Sequence, residues 1–400
     1  MKIYGVYPRN WQPGYDWFDR QVGLLVAGLN DAGIDSKLVL LAGDTLCSPT
    51  ADKRVLFAQR SEMLSASWWA SLGVDALIFE GAANAAYLPF LSAIHSAGIR
   101  VHAPLDSDGL VDPAIDFRGY WLSRYSWAIS RGIRLPSVHA TAHSLAKLVI
   151  PSSADSRLLY RLGLLSSFSA ESPLAIARLR SYFQRRKRPD LEKRLFWLPH
   201  AVPSKRFDGV RPQKERLIVS AARWNDEQKG PSLFVELAST VLASEPDYRI
   251  EVAGVFSEEL ARAVRAKNPA VAKRICGVDR LPNEKITDFL SRAQMFLVTS
   301  RSEGFPNVVA DAVCCGCSVV APARVAAMHF FASHDSGTLA WSRSLAAMQN
   351  ALVSEIDGWR NGFRDPDSIA HHFGGLLNVT NVTKRVLTLL TQPEIQLGQH

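Results

Sequence analysis

The sequence lacks the two commonest nucleotide-binding signatures. No Gly-x-Gly-x-x-Gly follows a strand-like run and no Gly-x4-Gly-Lys-Ser/Thr occurs, which argues against a dinucleotide oxidoreductase and a P-loop ATPase. Long apolar runs are also missing. A membrane-spanning helix needs about 18 consecutive apolar residues, and the nearest stretch, Val308 to Ala332, is interrupted by Asp311 and Arg324. Met1 to Arg9 reaches a proline and a charge too early for the apolar core of a signal peptide, so export is not expected. The five cysteines are odd in number and without paired spacing, which suits a reducing compartment and a cytoplasmic location. Cys314, Cys315 and Cys317 have no second ligand pair at zinc-site spacing. Repeats of roughly 20 to 50 residues and low-complexity tracts are absent.

What is present is an ordinary globular composition, 47% hydrophobic and 21% charged over 400 residues. That length exceeds one core and predicts two domains. Up to Lys205 there are 24 basic and 17 acidic residues, net +7, whereas the remainder has 22 and 21, net +1. The cluster Arg185, Arg186, Lys187 and Arg188 is a candidate contact for an anionic membrane, which would make the protein peripheral on its inner face. Charge alone does not support nucleic-acid binding.

Along the chain, apolar runs alternate with helical patterns. Ile3 to Tyr7, Leu38 to Ala42, Ala76 to Phe79, Ile99 to His102 and Leu164 to Phe168 read as strands, and Ser172-Pro173 as a helix start with a serine cap. A proline-bearing linker follows near Leu198 to Gln213. The second half alternates more clearly, with strands at Leu217 to Ala221, Ile250 to Ala253, Arg274 to Cys276, Met295 to Thr299 and Ser318 to Ala321. Ligands of such sheets bind at loops leaving the carboxyl ends of strands. The loop after Ala221 carries Arg223 and Lys229, two cations suited to a diphosphate. The loop after Thr299 reads Ser300-Arg301-Ser302-Glu303-Gly304-Phe305-Pro306-Asn307 and runs into a helix whose first amides can face an anion. Glu303 can accept hydrogen bonds from sugar hydroxyls. Asp311, two helical turns on, is expected on roughly the same face, since eight residues advance about 800 degrees.

Taken together, these residues resemble the donor-binding domain of family 4 retaining glycosyltransferases (glycosyl transferases group 1), enzymes of the GT-B fold. The matching pieces, in order, are Arg223, Lys229, Glu303-Gly304-Phe305, Asp311, Cys315-Gly316 and Ser318-Val319-Val320-Ala321. The resemblance implies an α/β chain of two Rossmann-like, doubly wound parallel-sheet domains facing across a cleft. The expected acceptor-binding domain is 1–205, the donor-binding domain 206–380, and 381–400 a C-terminal helix and tail packing back toward the first domain.

It further implies transfer of a sugar from a nucleotide diphosphate sugar to a glycan, glycolipid or other hydroxyl acceptor, as in polysaccharide or lipopolysaccharide biosynthesis, without metal or cofactor. Arg223 and Lys229 would neutralise the diphosphate, and Glu303 would bind the transferred sugar. Gly304 and the amides of Phe305, Pro306 and Asn307 would line the phosphate and sugar, counting only those that carry a hydrogen. Asp311 would hold the ribose and backbone at Gly277 and Val278 the base. In the first half, Gly14 is the candidate for the glycine loop after the first strand. The family often has a histidine near the reacting sugar. Here Leu105 or Asp106 takes that position, so Asp106 or Asp108 becomes the candidate polar contact and His102 a packed strand residue. Asp106-Ser107-Asp108 also spells a metal-gripping acidic pair, though two cations and a helix terminus already supply positive charge. A non-catalytic nucleotide-sugar or carbohydrate-binding protein and a GT-B sugar-nucleotide epimerase remain open alternatives.

Overall fold

The structure, a computed structural model, describes residues 1–12, 16–42, 52–131, 133–149, 153–207, 212–278, 281–333 and 335–391. Contacts divide the chain into two compact units. One comprises the described residues within Met1–Gly109, Ile150–Pro203 and Leu377–His400, and the other those within Leu110–Val149 and Ser204–Leu376. Residues 110–149, which the sequence reading leaves inside the first domain, therefore group with 204–376.

The first unit is built on seven strands: β1 (Ile3–Asn10), β2 (Leu38–Leu41), β3 (Val55–Ala58), β4 (Ala76–Phe79), β5 (Arg100–Pro104), β6 (Ser167–Ala170) and β7 (Leu195–Trp197). Their order is β3-β2-β1-β4-β5-β6-β7, with every pairing parallel. Continuous burial along β2 and β4 reflects a parallel sheet covered on both faces. The helix Gln21–Asp31 lays Val22, Leu25, Val26 and Leu29 on this sheet together with Val382, Val386 and Leu390 of the helix Val379–Thr391. These two helices approach closely at Gly28, where a Cβ would lie 2.3 Å from Thr383 Oγ1.

The second unit has β8 (Glu215–Ala221), β9 (Arg249–Ala253), β10 (Ile275–Val278), β11 (Ala293–Leu297), β12 (Ser318–Pro322) and β13 (Gly337–Ala340), in the order β10-β9-β8-β11-β12-β13, again all parallel. Both units are thus doubly wound Rossmann-like sheets, as the sequence implies. Each has a switch point where the strand order reverses, at β1/β4 and at β8/β11.

Ser172 caps the helix Pro173–Arg185 by accepting from the Ala175 amide at 3.2 Å, as expected. The strand read at Leu164 to Phe168 is displaced. The Leu164 and Leu165 amides bond back to Arg161 O and Leu162 O, closing the end of the helix Ser153–Gly163, and β6 begins only at Ser167. Strands β3, β7 and β13 are additions to the sequence reading, since three or four residues are too few to show a period.

His102 is the packed strand residue expected of it. It is fully buried in β5, with Nδ1 2.9 Å from Ser167 Oγ and Nε2 3.2 Å from Ser169 Oγ on β6. Burial pushes its pKa down to about 4, so it is neutral in the folded chain at pH 7. Because the unfolded chain takes up this proton first, near its ordinary value of about 6.5, stability is full above that pH. It should fall by about 3 kcal/mol as pH drops toward the folded value. Urea titrations from pH 7 to 4 should show this slope in wild type and a shallower one in His102→Gln.

Candidate functional site

At the β8/β11 switch point, the loops leaving these adjacent strands are stitched together. The Arg301 amide donates to Gln228 O at 2.7 Å, Gln228 Nε2 to Ser302 O at 2.6 Å, and Thr299 Oγ1 to Lys229 O at 2.8 Å. This brings Lys229 Nζ to 2.7 and 2.9 Å from the two carboxylate oxygens of Glu303. Their side chains retain only 16% and 10% exposure. Two of the residues singled out for diphosphate and sugar are therefore joined as one charge-assisted pair. Arg223 stands apart from it. Its side chain is 70% exposed and leans toward Asp226 at 3.4 Å, beyond the anchor of buried Trp224, whose indole donates to Ala253 O.

Two further cations belong to this place. Arg301 Nε donates to Glu227 O at 3.2 Å, and Arg343, from the loop after β13, donates through Nε to Thr299 O at 2.9 Å. Burial, then the neighbouring Arg301, pushes the Arg343 pKa down to about 10, with Glu227 opposing the fall. Between these groups lies Gly230, at φ 74° and ψ 49°, immediately before Pro231 opens the helix Pro231–Ser244. A Cβ on Gly230 would fall 2.1 Å from Arg343 Nη2 and 2.4 Å from Thr299 O. Gly230→Ala should therefore cost about 2 kcal/mol through backbone strain and crowding. Urea unfolding monitored in this unit checks the value, and a loss below the error of the measurement contradicts it.

The helix after β11 runs Asn307–Cys314 with Pro306 as its N-cap. Glu303 and Gly304 precede it, so the wheel that put Glu303 and Asp311 on one face does not apply across this loop. Phe305 is buried against Phe330 and Phe331, with ring centroids 6.1 and 4.9 Å away, and this fixes where the helix starts. The first amides of the helix, from Asn307, carry the positive end of its dipole.

Asp311 has a cation of its own. Its Oδ1 accepts from Arg206 Nε at 3.0 Å, and Arg206 Nη1 donates to Asn283 O at 3.1 Å and Thr287 Oγ1 at 2.6 Å. Burial raises the Asp311 pKa, with Arg206 and then Lys205 opposing the rise. At the expected base site, a Cβ on Gly277 would lie 2.5 Å from the Glu258 backbone, and Val278 O accepts from Ser257 Oγ at 2.8 Å. Gly277 thus lets the helix Ser257–Lys267 close onto β10. Buried Cys317 Sγ lies 3.0 Å from Leu290 O, and Gly316, at φ 80°, turns the chain before β12.

In the first unit Gly14 lies outside the described residues. Asp106, at φ 45°, follows β5, and its amide donates to Glu171 Oε1 at 2.9 Å while the Ser107 amide donates to Oε2 at 3.2 Å. Glu171 is fully buried at the end of β6, and His200 Nε2 lies 3.8 Å from its Oε1. One ligand atom each from Asp106, Glu171 and His200 lies within 4.8 Å of the others, a set of donors that could hold a divalent cation. Asp108 is not part of that group, and its backbone carbonyl accepts from Arg178 Nη1 at 3.0 Å. Glu80, beyond β4, has its pKa raised mainly by burial and also by Asp106 and Glu171, while His200 and Arg9 oppose the rise. Glu80, Glu171 and His200 escaped the sequence reading, although each follows the carboxyl end of a strand. In the basic cluster, Arg186 pairs with Asp155 at 2.8 Å and Arg188 with Asp190 through two bonds of 2.8 Å, so both have a local counter-ion.

Residues 202–356 match the family of glycosyl transferases group 1. No curated protein sequence matches the chain. Among solved structures, the lipopolysaccharide outer core galactosyltransferase WaaB in its apo form is similar, with TM-score 0.65, 13% identity, and 98% of this chain and 100% of that one covered. Anabaena Alr3699/HepE in complex with UDP and glucose gives TM-score 0.64 and 12% identity, with 98% and 99% covered. WaaG, a glycosyltransferase involved in lipopolysaccharide biosynthesis, gives 0.59 and 12%, with 98% and 100% covered. At these identities the likeness is one of fold, the GT-B fold of the sequence expectation. The stretch matched to the family contains Arg223, Lys229, Glu303 and Asp311. Among the described residues no helix is long and apolar enough to cross a membrane.

Proposed function

We propose that the chain is a retaining, metal-independent glycosyltransferase of family 4. It would move a sugar from a nucleotide diphosphate sugar to a hydroxyl of a glycan or glycolipid, in polysaccharide or lipopolysaccharide assembly. The observation that carries this reading is the Lys229–Glu303 pair, held by two stitched loops at a topological switch point within the stretch that matches the family. Incoming diphosphate competes for Lys229 and releases Glu303 to accept hydrogen bonds from the sugar. Arg223, 70% exposed, adds a second cation. The first amides of the Asn307–Cys314 helix supply fixed dipoles.

As the glycosidic bond breaks, charge accumulates on the leaving phosphate where these groups already point, so stabilisation grows toward the transition state. A phosphate oxygen of the leaving group takes the acceptor proton on the same face, which gives retention without a protein nucleophile. Asp311 holds the ribose once Arg206 shares it, and Asp106 contacts the sugar on the acceptor side.

The reading is tested by thermal stability with UDP, GDP, ADP and their sugars, each with and without EDTA. A nucleotide at about 100 times its Kd should add about 2.7 kcal/mol of stability. One nucleotide family should raise the melting temperature irrespective of EDTA. A rise that EDTA removes would refute metal independence and point to Asp106, Glu171 and His200. Stabilisation without turnover of any donor would instead favour a non-catalytic nucleotide-sugar-binding protein.

A further inference from the structure

Among the described residues, three non-glycine residues have positive φ: Asp106, Lys187 and Phe256. Aspartate enters this left-handed region more readily than most residues. Lys187 follows the C-cap of the helix Pro173–Arg185, the usual place for that conformation. Phe256, at φ 64° and ψ 24°, has neither reason. It stands at the start of the helix Ser257–Lys267, where an N-cap residue is ordinarily extended and polar. Its side chain caps nothing, and the hydroxyl next to it, Ser257 Oγ, is turned away to donate to Val278 O at 2.8 Å. Phe256 is also 53% exposed, so its ring gains little from burial. A left-handed phenylalanine and a helix start without a side-chain cap both cost stability. Such costs persist where the neighbouring structure imposes them, most often at ligand sites.

The neighbours impose the conformation from both sides. Toward β8, the Trp224 amide donates to Val255 O at 3.0 Å and the Ala222 amide to Ala253 O at 3.2 Å. A Cβ on Gly254, at φ 107°, would fall 2.1 Å from Ala222 O. Toward β10, the Gly254 amide donates at 3.2 Å to Val278 O, the carbonyl that Ser257 also holds. The turn carrying Phe256 is therefore clamped between the loop of Arg223 and the end of β10. The strand order β10-β9-β8-β11 sets these segments side by side at the carboxyl edge of the sheet. Val278, expected against the base, is on one flank of Phe256, and the loop with Arg223 and Lys229, expected against the diphosphate, is on the other.

We propose that Phe256 is the platform on which the nucleobase of the donor stacks, a role that rests on the nucleotide-sugar reading above. Every nucleobase presents a π-face, and a flat apolar ring left half in solvent is stabilised by covering it. Because the turn is already fixed from both flanks, the ring is held in place before the ligand arrives, and less ordering is required on binding.

Titration calorimetry on the full chain compares UDP, GDP and ADP with inorganic diphosphate, which has no base. Phe256→Ala should weaken the nucleotide that wild type binds by about ten- to hundredfold and leave inorganic diphosphate unchanged. Phe256→Trp should keep nucleotide affinity, whereas Phe256→Leu should lose it, since the contact needs a π-face and not apolar bulk. Phe256→Gly should lose affinity as Phe256→Ala does, yet raise the melting temperature, because glycine adopts φ 64° without strain. Lys229→Ala, by contrast, should weaken both ligands. A Phe256→Ala protein that binds nucleotide like wild type overturns the platform. An equal loss for inorganic diphosphate overturns it too, since the residue would then serve the shape of the diphosphate loop. If Lys229→Ala abolishes nucleotide binding while Phe256→Ala does not, the donor site stands and the platform alone falls. Wild type that binds none of the three nucleotides overturns both.

Discussion

Lys229→Ala should lower kcat/KM for sugar transfer by about 10²- to 10³-fold, the scale seen when one preorganised donor to a developing anion is removed. The same variant should abolish the rise in melting temperature caused by the nucleotide diphosphate. Two effects must be separated, because Lys229 Nζ lies 2.7 and 2.9 Å from the Glu303 carboxylate and the substitution also leaves that carboxylate without its cation. Both side chains are only partly screened by solvent, so the loss of the pair should cost the donor-free protein about 1 to 2 kcal/mol. Lys229→Ala/Glu303→Gln should recover most of that stability while transfer stays depressed. If the double variant regains activity along with stability, the role of Lys229 is structural and the diphosphate binds elsewhere.

Arg206→Ala should strongly destabilise the second unit. The Arg206 side chain retains 2% exposure, and its three hydrogen bonds tie the helix Asn283–Ser291 to Asp311 of the helix Asn307–Cys314. Removing one partner of a buried pair strands the other charge, and the cost is about 3 kcal/mol or more. For a domain of this size that corresponds to a fall of about 8 °C in the melting temperature. Burial already raises the Asp311 pKa against the opposing pull of Arg206. Without the guanidinium, the carboxyl group should take up a proton more readily still, and the deficit should shrink toward low pH. Arg206→Ala/Asp311→Asn should recover part of the loss at pH 7. A calorimetric scan of the three proteins decides the matter, and an Arg206→Ala midpoint within 2 °C of wild type, compared with the expected fall of about 8 °C, would contradict it.

Residues near the ends of strongly patterned strands were the ones visible in the sequence. The runs in β8 and β11 are apolar for most of their length, so the loops leaving them, with Lys229 and Glu303, could be placed at one sheet edge before any coordinate was known. Arg343 could not, because it follows β13, four residues beginning at Gly337 that carry no periodic signal. Arg206 lies 105 positions before its partner Asp311, and nothing in a linear pattern announces such a pairing. Glu171 was hidden by a misplaced strand boundary: once the apolar run at Leu164 is divided between a helix end and β6, Glu171 becomes the first residue beyond a strand. The error at Glu303 has a similar cause, since treating a loop and its following helix as one helix imposes a period the backbone does not have.

The measurement that bears most directly on the central claim is release of nucleoside diphosphate from UDP-, GDP- and ADP-sugars incubated with the full chain. It should be made with and without hydroxyl acceptors, with the anomeric configuration of any product read by proton NMR. The account predicts turnover of one donor family, undiminished by EDTA, lowered about 10²- to 10³-fold in Lys229→Ala, and giving a product of the same anomeric configuration as the donor. Turnover in Lys229→Ala at the wild-type rate, or a product of inverted configuration, would contradict it.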